Sequence, residues 1–160
     1  MRHKPLAPAK ERVWDQLPTE TGMMQFTMGN LQNSQPGTYL VPTDLRYSPG
    51  GYGWDTLSPR QVFDGGVQDS EDAAFVIDLP NGKYRVCFQF QSDKVRIHRI
   101  SLYANGKRLG TPVTVPMQAT VEKTELVTIN NNRLTLVIHP IDKGLDAYWI
   151  WRGCTIKKIG

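Results

Sequence analysis

The stretch that decides the fold is residues 83–91, which read KYRVCFQFQ. Apolar and polar side chains alternate strictly along it. A period of two places the apolar side chains on one face of an extended strand. The stretch therefore predicts a half-buried β-strand whose core face is formed by Tyr84, Val86, Phe88 and Phe90.

Turn signals on either side of this strand predict two hairpins. Asn81 and Gly82 precede it and are expected to link it to the apolar run 74–79. Asn105 and Gly106 separate the apolar residues Leu102 and Tyr103 from the run 109–115. Asn-Gly is the preferred dipeptide of two-residue hairpin loops, because both residues must adopt positive φ.

Residues 95–103 contain an irregular alternation. Keeping all four of their apolar side chains on one face requires one extra residue near His98 and Arg99, as in a β-bulge. The side chains expected on that face are Val95, Ile97, Ile100 and Leu102.

Further strands are expected at residues 119–129, 133–138 and 147–156, the first two joined by Asn130, Asn131 and Asn132. About eight short strands with almost no helix are typical of an all-β, antiparallel β-sandwich. A jelly roll is the arrangement that we expect.

The length of 160 residues fits one domain with a sizeable core. Residues 1–22 carry three prolines and mixed charge, and we expect a linker or N-terminal arm there, with the sandwich domain at 23–160. The basic N-terminus lacks the apolar stretch of a signal peptide. An extracellular or periplasmic location, which we expect, therefore requires a signal peptide upstream of this sequence. No apolar run is long enough to cross a membrane.

The net charge of +4 is too mild and too dispersed for the basic stripe of a nucleic-acid binder. The two cysteines, Cys87 and Cys154, are too few for a disulfide framework and lack metal-ligand spacing. Two free thiols are favoured, and a bridge between the two predicted strands stays open.

Catalytic motifs are missing from the sequence. It has no GxSxG, HExxH, phosphate-binding glycine loop or CxxC. Of the three histidines, His98 is expected at the surface or in a bulge and His139 at a strand end, while His3 lies in the arm. A non-catalytic domain is therefore expected.

The acidic stretch 64–72 is expected to be solvated, and the second interpretation is a calcium site, since calcium prefers several oxygen ligands. Its candidate ligands are Asp69 and Asp72. Structural calcium is the one cofactor left open.

Aromatic residues cluster in two segments rich in turn formers or polar residues, 47–55 and 146–153. Sugars bind to aromatic platforms bordered by planar polar side chains. The alternative is that some of these rings close the ends of the sandwich. The candidate ligand-binding residues are Tyr47, Tyr52, Trp54, Asp55, Asp146, Tyr148, Trp149 and Trp151.

An ordered series of short motifs resembles one known group of domains. In chain order they are QFTMG at 25–29, GTYLVPTD at 37–44, YSP at 47–49, GYGW at 51–54, FVIDLPNGKYRV at 75–86, LYANG at 102–106 and RG at 152–153. The series resembles the galactose-binding-like, malectin-like domains attached to bacterial polysaccharide lyases, agarases and rhamnogalacturonan-type esterases. The resemblance implies a jelly roll that binds sugar at the loops between its sheets, through Tyr52, Trp54 and Asp146.

Three functions are consistent with these features. The first is a carbohydrate-binding module whose partners are a polysaccharide or oligosaccharide and a catalytic domain in the same polypeptide. Acidic polymers are favoured by a basic cluster around one predicted hairpin, and no nucleic acid or membrane is expected as a partner. The alternatives are a structural accessory domain and a small jelly-roll lyase or hydrolase. The cluster consists of Lys94, Arg96, Arg99, Lys107 and Arg108.

Overall fold

The computed structural model describes residues 23–29, 38–55, 59–61, 66–92, 97–142 and 149–160. These residues form β-strands and connecting turns. None of them belongs to a helix that could span a membrane. The predicted arm at 1–22 lies outside them. The strands are β1 (Met23–Met28), β2 (Thr38–Val41), β3 (Tyr52–Trp54), β4 (Arg60–Gln61), β5 (Val67–Asp69), β6 (Ala73–Ile77), β7 (Gly82–Gln91), β8 (His98–Ala104), β9 (Lys107–Val115), β10 (Thr120–Ile129), β11 (Leu134–Pro140) and β12 (Trp149–Lys158).

The strands form two sheets, which confirms the predicted jelly-roll β-sandwich. Sheet A has the order β10-β7-β12-β1-β2, with β5 added beside β12 and β4 beside β5. Sheet B has the order β3-β6-β11-β8-β9. All described strand pairs are antiparallel except β1 with β2.

The core lies between the sheets, and β7 contributes to it as the alternation predicts. Its four apolar side chains are each at most 1% exposed. Rings from both sheets meet there: Trp151 of β12 lies 6.0 Å from Trp54 of β3 and 6.0 Å from Phe75 of β6, measured between ring centroids. Burying each such ring stabilises the fold by about 2–3 kcal/mol.

One of the two predicted hairpins is confirmed and the other is wrong. Asn105 (φ 50°) and Gly106 (φ 82°) join β8 to β9 in the two-residue turn expected. Asn81 and Gly82 instead connect β6 of sheet B to β7 of sheet A. A turn signal specifies a chain reversal and not the sheet in which the next strand pairs. The side-chain oxygen of Asn81 accepts a 2.7 Å hydrogen bond from the backbone N–H of Asn132, which lies in the connection from β10 of sheet A to β11 of sheet B.

The predicted bulge at His98 and Arg99 is also wrong. His98 is 0% exposed and faces the core, not the surface as predicted, whereas Ile97 is 49% exposed. The irregularity lies in the partner strand, where residues 110–112 face the single residue Ser101. The prediction placed the extra residue of the bulge in the wrong strand, because it assumed that Ile97 is buried. Val95 lies outside the described residues.

The two cysteines are free, and the register explains why. Cys154 pairs with Phe88 and is fully buried on the inner face of sheet A. Cys87 pairs with Thr155 and points to the outer face. Side chains on opposite faces of a sheet cannot form a disulfide. The first of the two alternatives for the cysteines, two free thiols, is therefore correct, and burial raises the pKa of Cys154.

We expect one fast-reacting thiol in the native protein and two in the unfolded protein. Cys87 is partly exposed, whereas the buried Cys154 is held as an unreactive thiol. Titration with a chromogenic disulfide reagent, with and without guanidinium chloride, measures both numbers. The Cys87→Ser variant should lose the fast phase, and a fast phase that survives would contradict this arrangement.

Candidate functional site

The three tryptophans among the predicted ligand-binding residues lie in the core. Trp54, Trp149 and Trp151 are each 0% exposed. Their indole N–H groups donate to backbone carbonyls of Pro42 at 2.9 Å, Glu71 at 2.9 Å and Gly153 at 2.8 Å, respectively. No ring face is available for a sugar in this arrangement. The structure thus realises the alternative that the sequence left open, in which these rings close the sandwich.

Tyr52 has a different environment. It is half-buried, and its ring meets Phe26 edge-on at 5.2 Å and Tyr39 at 5.9 Å. Its hydroxyl donates to the carbonyl of Leu40 at 3.2 Å. Tyr39 and Tyr52 together cover the core where the edge strands β2 and β3 face each other. Of the remaining candidates, Asp55 is exposed, and Asp146 and Tyr148 lie outside the described residues.

Tyr47 belongs to a polar network that the sequence did not reveal. Its hydroxyl donates to the carboxylate of Asp78 at 2.7 Å, which also accepts from the Gly50 N–H at 2.6 Å and from Arg133 at 3.0 Å. The guanidinium of Arg133 lies 4.8 Å from the centre of the Tyr47 ring. Asp78 is only 6% exposed, so its charge depends on these three donors. The network fixes the loop before β3 to the ends of β6 and β11.

Burial and the hydrogen bond to Asp78 raise the pKa of Tyr47 to about 12. The unfolded phenol ionises near pH 10, whereas the folded one stays protonated to about pH 12. The stability that this hydroxyl contributes is therefore complete below pH 10 and declines as the pH rises towards 12.

We expect Tyr47→Phe to lower the free energy of unfolding by about 2 kcal/mol at pH 7, since a hydrogen bond to a charged group is lost. The difference from wild type should shrink between pH 10 and 12, where the wild type loses this contribution. Urea denaturation at a series of pH values measures it. A difference in unfolding free energy that widens above pH 10 would contradict the raised pKa of Tyr47.

The acidic residues near β5 make contacts of their own. The carboxylate of Asp69 accepts from the backbone N–H groups of Ser70 at 2.7 Å and Glu71 at 3.1 Å. Asp72 lies 2.6 Å from Nδ1 of His139. Among the described residues, no group of three or more potential ligands could hold a metal ion. Calcium binding by Asp69 and Asp72 stays a prediction.

The contact between Asp72 and His139 is the one His–carboxylate pair found among the described residues. It lies on the exposed side of sheet B, where His139 pairs in register with Ser101. No hydrogen bond between described residues joins the Ser101 hydroxyl to His139. The described contact of His139 is therefore that of a surface ion pair when it is protonated.

A groove of about 420 Å³ lies on the outer face of sheet A, across β10, β7, β12 and β1. We call it the outer-face groove. It is lined by the outward residues of these strands together with Gly66 and part of Phe26. The polar lining consists of Gln25, Thr27, Gln89, Glu122, Arg152 and Thr155, and Gly153 completes the lining.

A β-bulge in β12 creates this groove. Trp151 pairs with Phe90 on the core side, and Gly153 pairs with Gln89 on the outer side, so Arg152 is the extra residue between them. The guanidinium of Arg152 donates to the side-chain oxygen of Gln91. Gly153 leaves the centre of the outer face without a side chain.

The groove offers a dense set of hydrogen-bonding groups. Two carboxamides, one guanidinium, one carboxylate and two hydroxyls line it, so it contains both donors and acceptors. Such a lining suits a ligand with many hydroxyl groups. Sequence reasoning missed it because outward polar side chains on regular strands resemble a solvated face. The Arg152-Gly153 motif was the available signal.

Gly153→Ala tests the close packing below the groove. A Cβ at this position would lie 2.3 Å from the carbonyl oxygen of Phe26, so β1 and β12 must separate. We expect a loss of about 1–3 kcal/mol in the free energy of unfolding. Gly51→Ala is the matched control, because its Cβ would meet nothing closer than 3.6 Å. Equal effects in chemical denaturation would contradict this packing.

Comparison with known proteins finds similarity in structure. No protein-family model matches the chain, and no curated protein matches its sequence. Protein YxiM of Bacillus subtilis is similar over 86% of this chain and 40% of its own, with a TM-score of 0.64 and 22% identity. A β-glucuronidase of Bacteroides uniformis is similar over 86% of this chain and 18% of its own, with a TM-score of 0.63 and 13% identity.

A third structure is itself a small domain. The CBM36-1 domain of a multidomain xylanase from the hindgut metagenome of Trinervitermes trinervoides matches over 67% of this chain and 90% of its own, with a TM-score of 0.53 and 15% identity. This chain shares the fold of that domain. The predicted antiparallel β-sandwich is thereby confirmed as a fold. The chain spans less than half of YxiM and about a fifth of the β-glucuronidase.

Proposed function

We propose that this chain is a non-catalytic carbohydrate-binding domain that holds a glycan in the outer-face groove. The observation that carries the proposal is the polar lining of that groove on a sheet whose opposite face is a fully packed aromatic core. The backbone of such a sheet is held in place before the ligand arrives, which reduces the entropy lost on binding. The fold shared with the CBM36-1 domain supports the same conclusion.

We thus place the site in the groove and not at the aromatic segments that the sequence predicts. Of the predicted residues, Tyr47 and Asp55 lie in loops, and those on β3 and β12 have their side chains in or against the core. The groove residues lie on the outer face of sheet A. Tyr52 and Tyr47 remain partly exposed and could contact a longer glycan only outside the groove. Roles for Asp146 and Tyr148 stay predictions.

The wider setting is also part of the proposal. We place the domain beside a catalytic domain in the same polypeptide, outside the cytoplasm. Structures of similar fold support this setting, because the shared fold makes up only part of a β-glucuronidase and of a multidomain xylanase. A catalytic role is less well supported by the groove itself. Acid–base hydrolysis of a glycoside uses two carboxyl groups, and Glu122 is the one carboxylate in the described lining.

Binding to a panel of neutral and acidic polysaccharides tests the proposal, by affinity electrophoresis followed by calorimetry. We expect the double variant Gln89→Ala/Arg152→Ala to weaken binding about tenfold or more, since it removes hydrogen bonds that include a charged donor. Arg108→Ala is the matched control, because Arg108 lies on β9 of sheet B and should leave affinity unchanged. Circular dichroism checks that each variant is folded.

Two results would contradict the proposal. The first is that no polymer in the panel binds to the folded wild-type domain. The second is that the double variant binds as well as wild type, which would place the site elsewhere. New reducing or unsaturated ends in the incubated polymer would indicate an enzyme instead.

A structural accessory domain is the second candidate, and one surface feature favours it. Ile97 is 49% exposed and Met117 is 51% exposed. The pairing of His98 with Val115 brings their two segments to the same corner of sheet B. Exposed apolar side chains of this size suit contact with another domain. The accessory-domain function is supported if the folded domain binds no polymer in the panel.

A further inference from the structure

Two cations lie side by side on the outer face of sheet A. Arg85 of β7 pairs directly with Lys157 of β12, and both side chains are exposed. Side chains at directly opposed positions of antiparallel strands have Cβ atoms about 5 Å apart. We call Arg85 and Lys157 the cation pair. Lys83, two residues before Arg85 and also exposed, adds a third charge on the same face.

Among the described residues, no ion pair compensates this charge. The ion pairs found among the described residues involve Arg99, Lys123, Arg133 and His139, and none involves the cation pair. The neighbours in the same row are Leu126 of β10, which pairs with Arg85, and Met23 of β1, which pairs with Lys157. Neither is charged. Like charges placed directly opposite each other destabilise a sheet, so folding alone does not favour this arrangement.

The cation pair continues the outer-face groove. Thr155 lines the groove, and Lys157 is the next outward residue of the same strand. The two Cα atoms are therefore about 7 Å apart. Arg85 lies two outward positions before Gln89 on β7, with Cys87 between them. A chain lying in the groove along these strands would pass over both cations.

We propose that the outer face of sheet A binds an acidic glycan, with its neutral hydroxyls in the groove and its carboxylate or sulfate groups on Arg85 and Lys157. This inference rests on the proposed function and specifies its substrate class. Guanidinium groups bind carboxylate and sulfate oxygens in pairs, and the ammonium group adds a second charge. An acidic ligand would remove the repulsion that the fold leaves in place.

The basis for an acidic ligand thus differs from the one that the sequence suggested. Of the basic cluster predicted there, Arg99 forms an ion pair with Asp142, and Lys107 and Arg108 lie on β9 of sheet B. Lys94 and Arg96 lie outside the described residues.

The test compares acidic and neutral polymers on the intact chain. Polygalacturonate, alginate and chondroitin sulfate are the acidic probes, and methyl-esterified polygalacturonate, xylan and galactan are the neutral ones. We expect at least one acidic probe to bind more tightly than every neutral probe, with an affinity that falls as salt increases. The double variant Arg85→Gln/Lys157→Gln should weaken that affinity about tenfold, while any binding of neutral polymers stays unchanged.

Two controls separate this role from net charge and from folding. Lys107→Gln/Arg108→Gln removes the same charge from sheet B and should leave binding of the acidic probe within about twofold. Without ligand, the Arg85→Gln/Lys157→Gln variant should unfold at the same or a higher urea concentration than wild type, because repulsion is relieved. A clearly lower midpoint would mean that the pair is structural and would overturn the inference.

The remaining outcomes distinguish the two proposals. If neutral polymers bind as tightly as acidic ones, the carbohydrate-binding function stands and the acidic preference is overturned. If no polymer binds, both fail. If double-stranded DNA at equal charge concentration binds more tightly than every acidic glycan and requires Arg85 and Lys157, the ligand is a nucleic acid and the inference is overturned.

Discussion

The packing of Trp151 between the two sheets is the constraint on which the rest of the domain depends. Its indole ring contacts Trp54 and Phe75 of sheet B as well as Phe88 and Phe90 of its own sheet. Two residues later, Gly153 lies on the outer face, because Cys154 and Ile156 after it are buried on the inner face. Strict alternation cannot satisfy both requirements. One extra residue, Arg152, resolves the conflict, and the groove on the outer face is the result.

Much of the fold could be predicted from the sequence, because alternation and turn dipeptides are local signals. Residues 83–91 and the turn at Asn105 and Gly106 adopt the structures that their patterns predict. Sheet membership is not local. Asn81 and Gly82 carry the same turn signal as the second hairpin and yet cross between sheets, since the partners of β7 are the distant strands β10 and β12.

The candidate site was harder to predict, for two physical reasons. Trp54 and Trp149 are flanked by turn formers or polar residues, which indicated exposed loops. Their indole N–H groups instead donate in the core to carbonyls of residues distant in sequence, Pro42 and Glu71. The groove residues, such as Gln25 and Gln89, instead belong to regular strands. Their functional meaning depends on the register between strands, which a single sequence does not contain.

The position of β12 has a consequence for how the chain folds as it is synthesised. β12 is the last strand in sequence, and it lies between β7 and β1 near the middle of sheet A. Until it emerges from the ribosome, β1 and β7 lack their shared partner, and the core lacks both Trp149 and Trp151. The domain must therefore complete its folding after synthesis of the whole sandwich, with exposed strand edges until then. Such a chain depends on delayed collapse or on chaperones more than one built from sequential hairpins.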